Sequence, residues 1–357
     1  MKNEIKSLTG LRGIAAVYVM IFHYFKNYSE NLNNKFGGIF DYTDNIIKNG
    51  YISVDLFFIL SAFVLTLSYN SKFEYLNFST YKDYFIKRLI RIYPLYLVVF
   101  LISLFYQNNI SSSFIITHLT LTESLFDTLI GSVNYSVWSL STEFILYLFF
   151  PFILFFIYKI KSKIVDLLLV IISLIFLYKL QCFDTYFISL SKKTIERLPS
   201  KNSLEIVIGS SAIIRTFITY MLGVMFFKNI KKIPNIISVC ISIILFLSIT
   251  LDFNDIIIYI LFFFLIKSLL QNNILSRLMS NKIIYYLGEI SYSIYLNHII
   301  VLVALTKFNP FKLNENGVIF LLTSITVTLL ISIFTYEVIE KKSKKYFLKI
   351  YNKKASD

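Results

Sequence analysis

Arg12 and His23 bracket an otherwise apolar run, Leu11-Arg-Gly-Ile-Ala-Ala-Val-Tyr-Val-Met-Ile-Phe-His23. An imidazole can take or return a proton near neutral pH, and a guanidinium can hold an anion. On an α-helix the interval closes about three turns, so both side chains leave one face, about 16 Å apart along the axis. Ala16 and Val19 lie between them on that face and leave room for another group to approach. Such a face suits a path from an anion site at one membrane surface to a reaction centre within the bilayer. The alternative is an arginine that snorkels to the interface and a histidine satisfied by its neighbours.

Other ionisable side chains stand in apolar stretches where they are costly to keep. Asp55 lies in Val54-Asp-Leu-Phe-Phe-Ile-Leu-Ser61, Glu143 in Trp138-Ser-Leu-Ser-Thr-Glu143, Arg215 in Ile213-Ile-Arg-Thr-Phe217, and His298 in Ser291-Tyr-Ser-Ile-Tyr-Leu-Asn-His298. With His23 they fall on five separate helices, at similar depths. Together they suggest one polar cavity, in which Asp55 or Glu143 orients an imidazole and a cation steadies an oxyanion. For Asp55 and Arg215 the other reading is an ion pair that only joins helices. Ser291, Tyr295 and His298 share a helix face by spacing. Arg88 and Arg91 are i, i+3 neighbours, a spacing that suits a phosphate or pyrophosphate, and Arg12 is placed at the same depth. An ordinary belt of snorkelling cations is the alternative. His118, in a polar loop, is expected to be a surface residue.

Several chemistries have no footing here. There is no nucleophile elbow, Walker loop, dinucleotide fingerprint or metal-ligand spacing, so no metal site is expected. Cys182 and Cys240 form no motif, and no disulfide is expected. The 357 residues are 56% hydrophobic and 16% charged, with a mean hydropathy of +0.68. Inside lipid the backbone must satisfy its own hydrogen bonds, and the apolar runs lack strict alternation, so they are helices. The net charge of +14 fits basic loops facing anionic lipid rather than nucleic-acid binding.

The elements that must position these residues are about ten spanning helices, predicted at 10–26, 50–69, 91–106, 137–158, 164–180, 206–227, 233–250, 255–270, 285–305 and 317–337. The segment 113–130 is too polar to span in contact with lipid. Keeping it outside gathers most of the 35 basic residues on one side. The positive-inside rule then places both termini in the cytoplasm. Long outer connections are expected at 27–49, 107–136 and 181–205, the last with a short amphipathic helix at the surface. Residues 1–340 are read as the membrane domain and 341–357 as a basic cytoplasmic tail facing lipid.

Six blocks, in order along the chain, resemble the acyltransferase 3 family of bacterial integral-membrane O-acyltransferases. They are the Arg12–His23 spacing, "VDLFFILSAF" from Val54, "RLIRIYPLY" from Arg88, "WSLSTEFILYLFFP" from Trp138, "LGEISYSIYLNH" from Leu287 and "YEVIEKKSKKYF" from Tyr336. Ala62 stands where glycine is usual, and Lys342 where proline is. The resemblance implies an all-helical enzyme of the bacterial cytoplasmic membrane with no permanently bound cofactor. Acyl-CoA, most simply acetyl-CoA, would be the cytoplasmic co-substrate, and a hydroxylated glycan the extracytoplasmic acceptor. His23 would be the essential catalytic residue, with Glu143 and Asp55 in its support. Arg88 and Arg91, joined by Arg12, would serve the donor. Trp138, Arg215, Tyr295 and His298 would position the acceptor or steady the oxyanion. Transfer directly to the acceptor and transfer through an acyl-histidine both fit. The rival readings are a glycan or anion transporter, which also carries midplane charges, and a membrane sensor that has lost its activity.

Overall fold

Sequences this apolar fold as helices because a helix closes its backbone hydrogen bonds within one segment. A computed structural model describes residues 5–36, 45–107, 110–126, 134–190, 209–229, 233–308 and 317–356, and these are helical throughout apart from short turns. The elements are α1 (Lys6–Phe36), α2 (Ile52–Tyr69), α3 (Phe78–Leu104), α4 (Ser112–Leu119), α5 (Val137–Lys159), α6 (Lys163–Leu190), α7 (Gly209–Asn229) and α8 (Asn235–Thr250). They continue with α9 (Asp255–Leu269), α10 (Ile274–Met279), α11 (Lys282–Glu289), α12 (Ser291–Phe308), α13 (Gly317–Thr335) and α14 (Lys341–Ser356). Among the described residues, six stretches are long and apolar enough to cross a membrane: Lys6–Phe25, Asn45–Tyr69, Val137–Lys159, Ser211–Asn229, Ser291–Phe308 and Gly317–Lys353. Each of the ten predicted spans has a helical counterpart.

The boundaries differ from the expectation in several places, among them α6, which runs past its predicted end at 180 to Leu190. The first helix runs on to Phe36, through what was expected to be loop. The third begins at Phe78 rather than 91, because the Asn77 side chain caps it by accepting from the Ser79 N–H at 2.8 Å. The predicted 285–305 span is broken between α11 and α12 at Ile290, where Ser291 Oγ donates to Gly288 O at 2.7 Å. The basic tail is a helix that continues the last span through a π turn, Tyr336–Glu340. The predicted surface helix in 181–205 falls largely on residues outside those described, as does the Cys182 side chain.

Close backbone approach sets where α1 sits. A Cβ on Gly10 would stand 1.9 Å from Met279 O, one on Gly13 2.5 Å from Gly288 N, and one on Gly288 1.9 Å from Thr9 O. Lipid tails give helices no hydrophobic reason to associate, so small residues that allow close packing do that work. This crossing pins the Arg12 end of α1 against α10 and α11. At the other end, the Tyr24 hydroxyl is hydrogen-bonded to His298 O at 2.9 Å and to Thr328, tying α1 to α12 and α13. A second close crossing places Gly223 of α7 on Ala62 of α2, where a Cβ at 223 would come 2.7 Å from that of Ala62.

Candidate functional site

α1 and α12 bring their histidines together. His298 Nε2 lies 3.0 Å from His23 Nδ1. The ring centres are 5.0 Å apart at 29°. The nitrogens are closer than the centres, so the rings meet edge to edge in a hydrogen bond rather than face to face. His298 is fully buried, and its Nδ1 lies 2.7 Å from Tyr295 O. The Tyr135 ring packs edge-on against His23 at 5.3 Å, and Phe22 flanks it at 5.0 Å.

A cavity of about 790 Å³, counting its open mouth, lies on the far side of Tyr295 from His298, and neither histidine lines it. Arg12, Arg88 and Arg91 line it together with Glu143, and Ser139 and Tyr295 close it at the histidine side. The Tyr295 ring centre is 5.6 Å from that of His298. α12 covers the Ala16 and Val19 face of α1, and both residues are fully buried. The path from the arginines therefore runs beside α1, along α2, α3, α5 and α12, and not down the face predicted for it. Arg88 is held between the Tyr84 and Tyr147 rings, 6.0 Å from each centre. Its Nε has no hydrogen-bond partner among the described residues, so a buried donor remains for an anion.

The family model described as "Acyltransferase domain" matches residues 5–337. The chain belongs to this family. It is a multi-pass membrane acyltransferase. No curated protein matches the chain, and no solved structure does.

Within this acyltransferase, Asp55 and Arg215 are committed to each other. Arg215 donates to Asp55 Oδ1 from Nε at 3.0 Å and from Nη2 at 2.6 Å. Both are buried, and the pair ties α2 to α7. Trp138 lies under the guanidinium at 5.9 Å. Glu143 accepts from Tyr147 Oη at 2.7 Å and Tyr220 Oη at 3.2 Å. Neither carboxylate therefore holds His23, contrary to expectation. Arg215 has already claimed Asp55, and helix spacing turns Glu143 toward the i+4 hydroxyl of Tyr147 on the arginine side. The ring at His23 Nδ1 is His298. Tyr295 faces Ser139, with the two hydroxyls 2.6 Å apart, and its O–H reaches Ser136 O at 2.9 Å.

His118 is a second correction. It is buried, not on the surface, and stacks on Phe114 and Phe100 at 4.0 and 5.5 Å. Helix α4 folds down over α3 because Tyr96 and Tyr93 donate to the carbonyls of His118 and Leu119 at 2.7 and 3.0 Å. Burial lowers the His118 pKa below its ordinary value.

Sequence reasoning also missed Glu340. It accepts from Ser293 Oγ at 3.1 Å and lies in the field of Arg91 and Arg12. Its signal was an acidic residue at the boundary between the membrane domain and the basic tail, to which no role was given.

Proposed function

We propose that this protein moves an acyl group, most simply acetyl, from acyl-CoA at the cytoplasmic face to a hydroxyl of a carbohydrate outside. The observation that supports this reading most is the cavity that begins among three arginines and ends at Ser139 and Tyr295, whose ring packs against His298. The polyanionic head of CoA would meet Arg12, Arg88 and Arg91, whose guanidiniums suit phosphate. The pantetheine arm would lie along the cavity and bring the thioester to the level of Ser139 and Tyr295. His23 takes the proton from the acceptor hydroxyl as its oxygen attacks the thioester carbon. The C–O bond forms, the C–S bond breaks, and the departing thiolate recovers the proton from His23. Glu143, held by two tyrosines, is a wall of the donor channel, while the Asp55–Arg215 pair braces the helices around it. The acceptor is a surface polysaccharide or its lipid-linked precursor, and no cofactor is held between turnovers.

The same proposal carries ten spans with both termini in the cytoplasm, residues 1–340 as the catalytic domain and 341–357 as a basic tail on anionic lipid of the bacterial inner membrane. Vesicles reconstituted with the protein and loaded with external glycan test it. Label from acetyl-CoA enclosed on the cytoplasmic side should appear on the glycan. His23→Ala should abolish this while the protein still inserts, and Arg88→Ala with Arg91→Ala should weaken acetyl-CoA binding by at least about tenfold. Unmodified glycan crossing without acetyl-CoA would mark a transporter instead.

A further inference from the structure

The hydrogen bonds around the two histidines settle where their protons lie. His298 Nδ1 is 2.7 Å from Tyr295 O and 3.3 Å from Ile294 O. Carbonyl oxygens only accept, so this nitrogen carries a hydrogen. A neutral imidazole has one N–H, which leaves His298 Nε2 as a bare lone pair. His23 Nδ1, 3.0 Å from that lone pair, must then be the donor. The proton between the two rings is thereby placed on His23 Nδ1, and in the neutral ring the basic nitrogen of His23 is Nε2.

The opposite assignment needs His298 as an imidazolium, donating from both nitrogens. That would place a full positive charge on a ring with no exposed surface, packed against the aromatic rings of Tyr24 and Tyr295. Its hydrogen bonds go to backbone carbonyls and to His23, with no carboxylate among them. An isolated buried charge of this kind is far more costly than a neutral hydrogen-bonded ring.

We propose that His298 is a positioning residue that sets the tautomer of His23 and aims its Nε2 at the acceptor hydroxyl. This rests on the reading of His23 as the proton acceptor. The backbone that holds His298 is itself fixed. The Tyr24 hydroxyl locks His298 O to α1, and the Tyr295 hydroxyl is clamped to Ser139 and Ser136. When His23 Nε2 takes the hydroxyl proton, the new charge is shared along Nδ1–H to His298 Nε2, and through His298 Nδ1–H to Tyr295 O. A carboxylate in that place would do the same, as in hydrolase triads, but would bring its own charge into the membrane. The neutral ring gives orientation without that cost.

The chain has three histidines, so ¹⁵N labelling of the imidazoles gives a spectrum that can be assigned by single replacements. In the full-length protein in lipid nanodiscs, His23 should show a protonated Nδ1 and a bare Nε2. His298→Gln supplies an amide oxygen that can accept from His23 Nδ1, and should keep that pattern with turnover within about tenfold of the parent. His298→Phe removes the acceptor, and should release His23 to the other tautomer and lower kcat about a hundredfold or more, with the KM for acetyl-CoA nearly unchanged. A parent spectrum with His23 protonated at Nε2 overturns the inference whatever the variants do. Unchanged tautomer and kcat in His298→Phe would overturn it too. The reading of His23 itself fails separately, through transfer that survives His23→Ala.

Discussion

Two polar pairs within the helix bundle tie its helices together, and they are built on opposite principles. Asp55 and Arg215 join α2 to α7 as a full ion pair, 2% and 0% exposed on the Arg and Asp sides, with two guanidinium N–H groups on one carboxylate oxygen. His23 and His298 join α1 to α12 as two rings sharing one hydrogen bond. A buried ion pair is stable only as a closed unit, because each charge needs the other to offset its desolvation. A pair of imidazoles needs only one proton between its facing nitrogens and no counter-charge. The contrast teaches that ionisable side chains at equal depth in a membrane do not have equal roles. What separates them is whether a strong partner has already taken their capacity.

The largest expected effect breaks the first pair. Arg215→Ala leaves the Asp55 carboxylate buried without its cation, at a cost of about 3–5 kcal/mol. The variant should largely fail to give monodisperse protein in detergent size-exclusion chromatography. The double replacement Asp55→Leu with Arg215→Met removes both charges and should recover most of the folded protein. Poor recovery in the double variant would show that the pair does more than offset its own burial.

The sequence offered the Asp55–Arg215 ion pair only as an alternative reading, and the histidine pair not at all. Spacing placed Asp55, Glu143, Arg215, His23 and His298 at similar depths and found the three arginines that line one cavity. The helical class and a helix at each predicted span also followed from apolar run length and the cost of exposed backbone in lipid, whereas α4, α10 and α14 were not foreseen. Pairing across helices did not follow, because it depends on rotation and crossing angle. Asp55 turns to Arg215 because Gly223 lets α7 approach Ala62 on α2, a contact separated by more than a hundred residues. Glu143 turns to Tyr147 one helical turn along, a neighbour that spacing does reveal but that the search for a histidine partner passed over. The helix ends were missed where local polarity suggested loop. Asn77 in fact caps α3, and Ser111 caps α4 by accepting from the Phe114 N–H at 3.1 Å.

The second pair can be disturbed more gently. Tyr295→Phe keeps the ring and the backbone carbonyl that receives His298 Nδ1–H, but loses the hydroxyl contacts to Ser139 and Ser136. A neutral hydrogen bond of this kind contributes about 1 kcal/mol. Folded yield should barely change, while turnover should fall several-fold through looser placement of the histidines. A large loss of folded protein would mean that this region, like the ion pair, is chiefly a brace.

Glu123 offers a third solution and the smallest effect. It lies in the short turn Glu123–Leu125 between α4 and α5, is 3% exposed, and neither carboxylate oxygen has a hydrogen-bond partner among the described residues. With no cation opposite, burial pushes its pKa up to about 8. It therefore meets the membrane edge as a neutral acid rather than as half of a pair. The sign follows from linkage. An unfolded glutamate near 4.5 loses its proton first, so the stabilising contribution is complete below that pH, declines as pH rises toward about 8, and stays lost above it. Glu123→Gln is neutral at every pH and close in shape, so its thermal unfolding temperature should match the parent near pH 4.5. It should exceed the parent by several degrees at pH 8, where most of that contribution is lost from the parent. A Gln variant whose stability falls with pH as steeply as the parent's would mean that Glu123 is ionised in the fold. The rule drawn from the first two pairs, that an ionisable group here keeps its charge only when a counter-charge closes on it, would then fail at its simplest case.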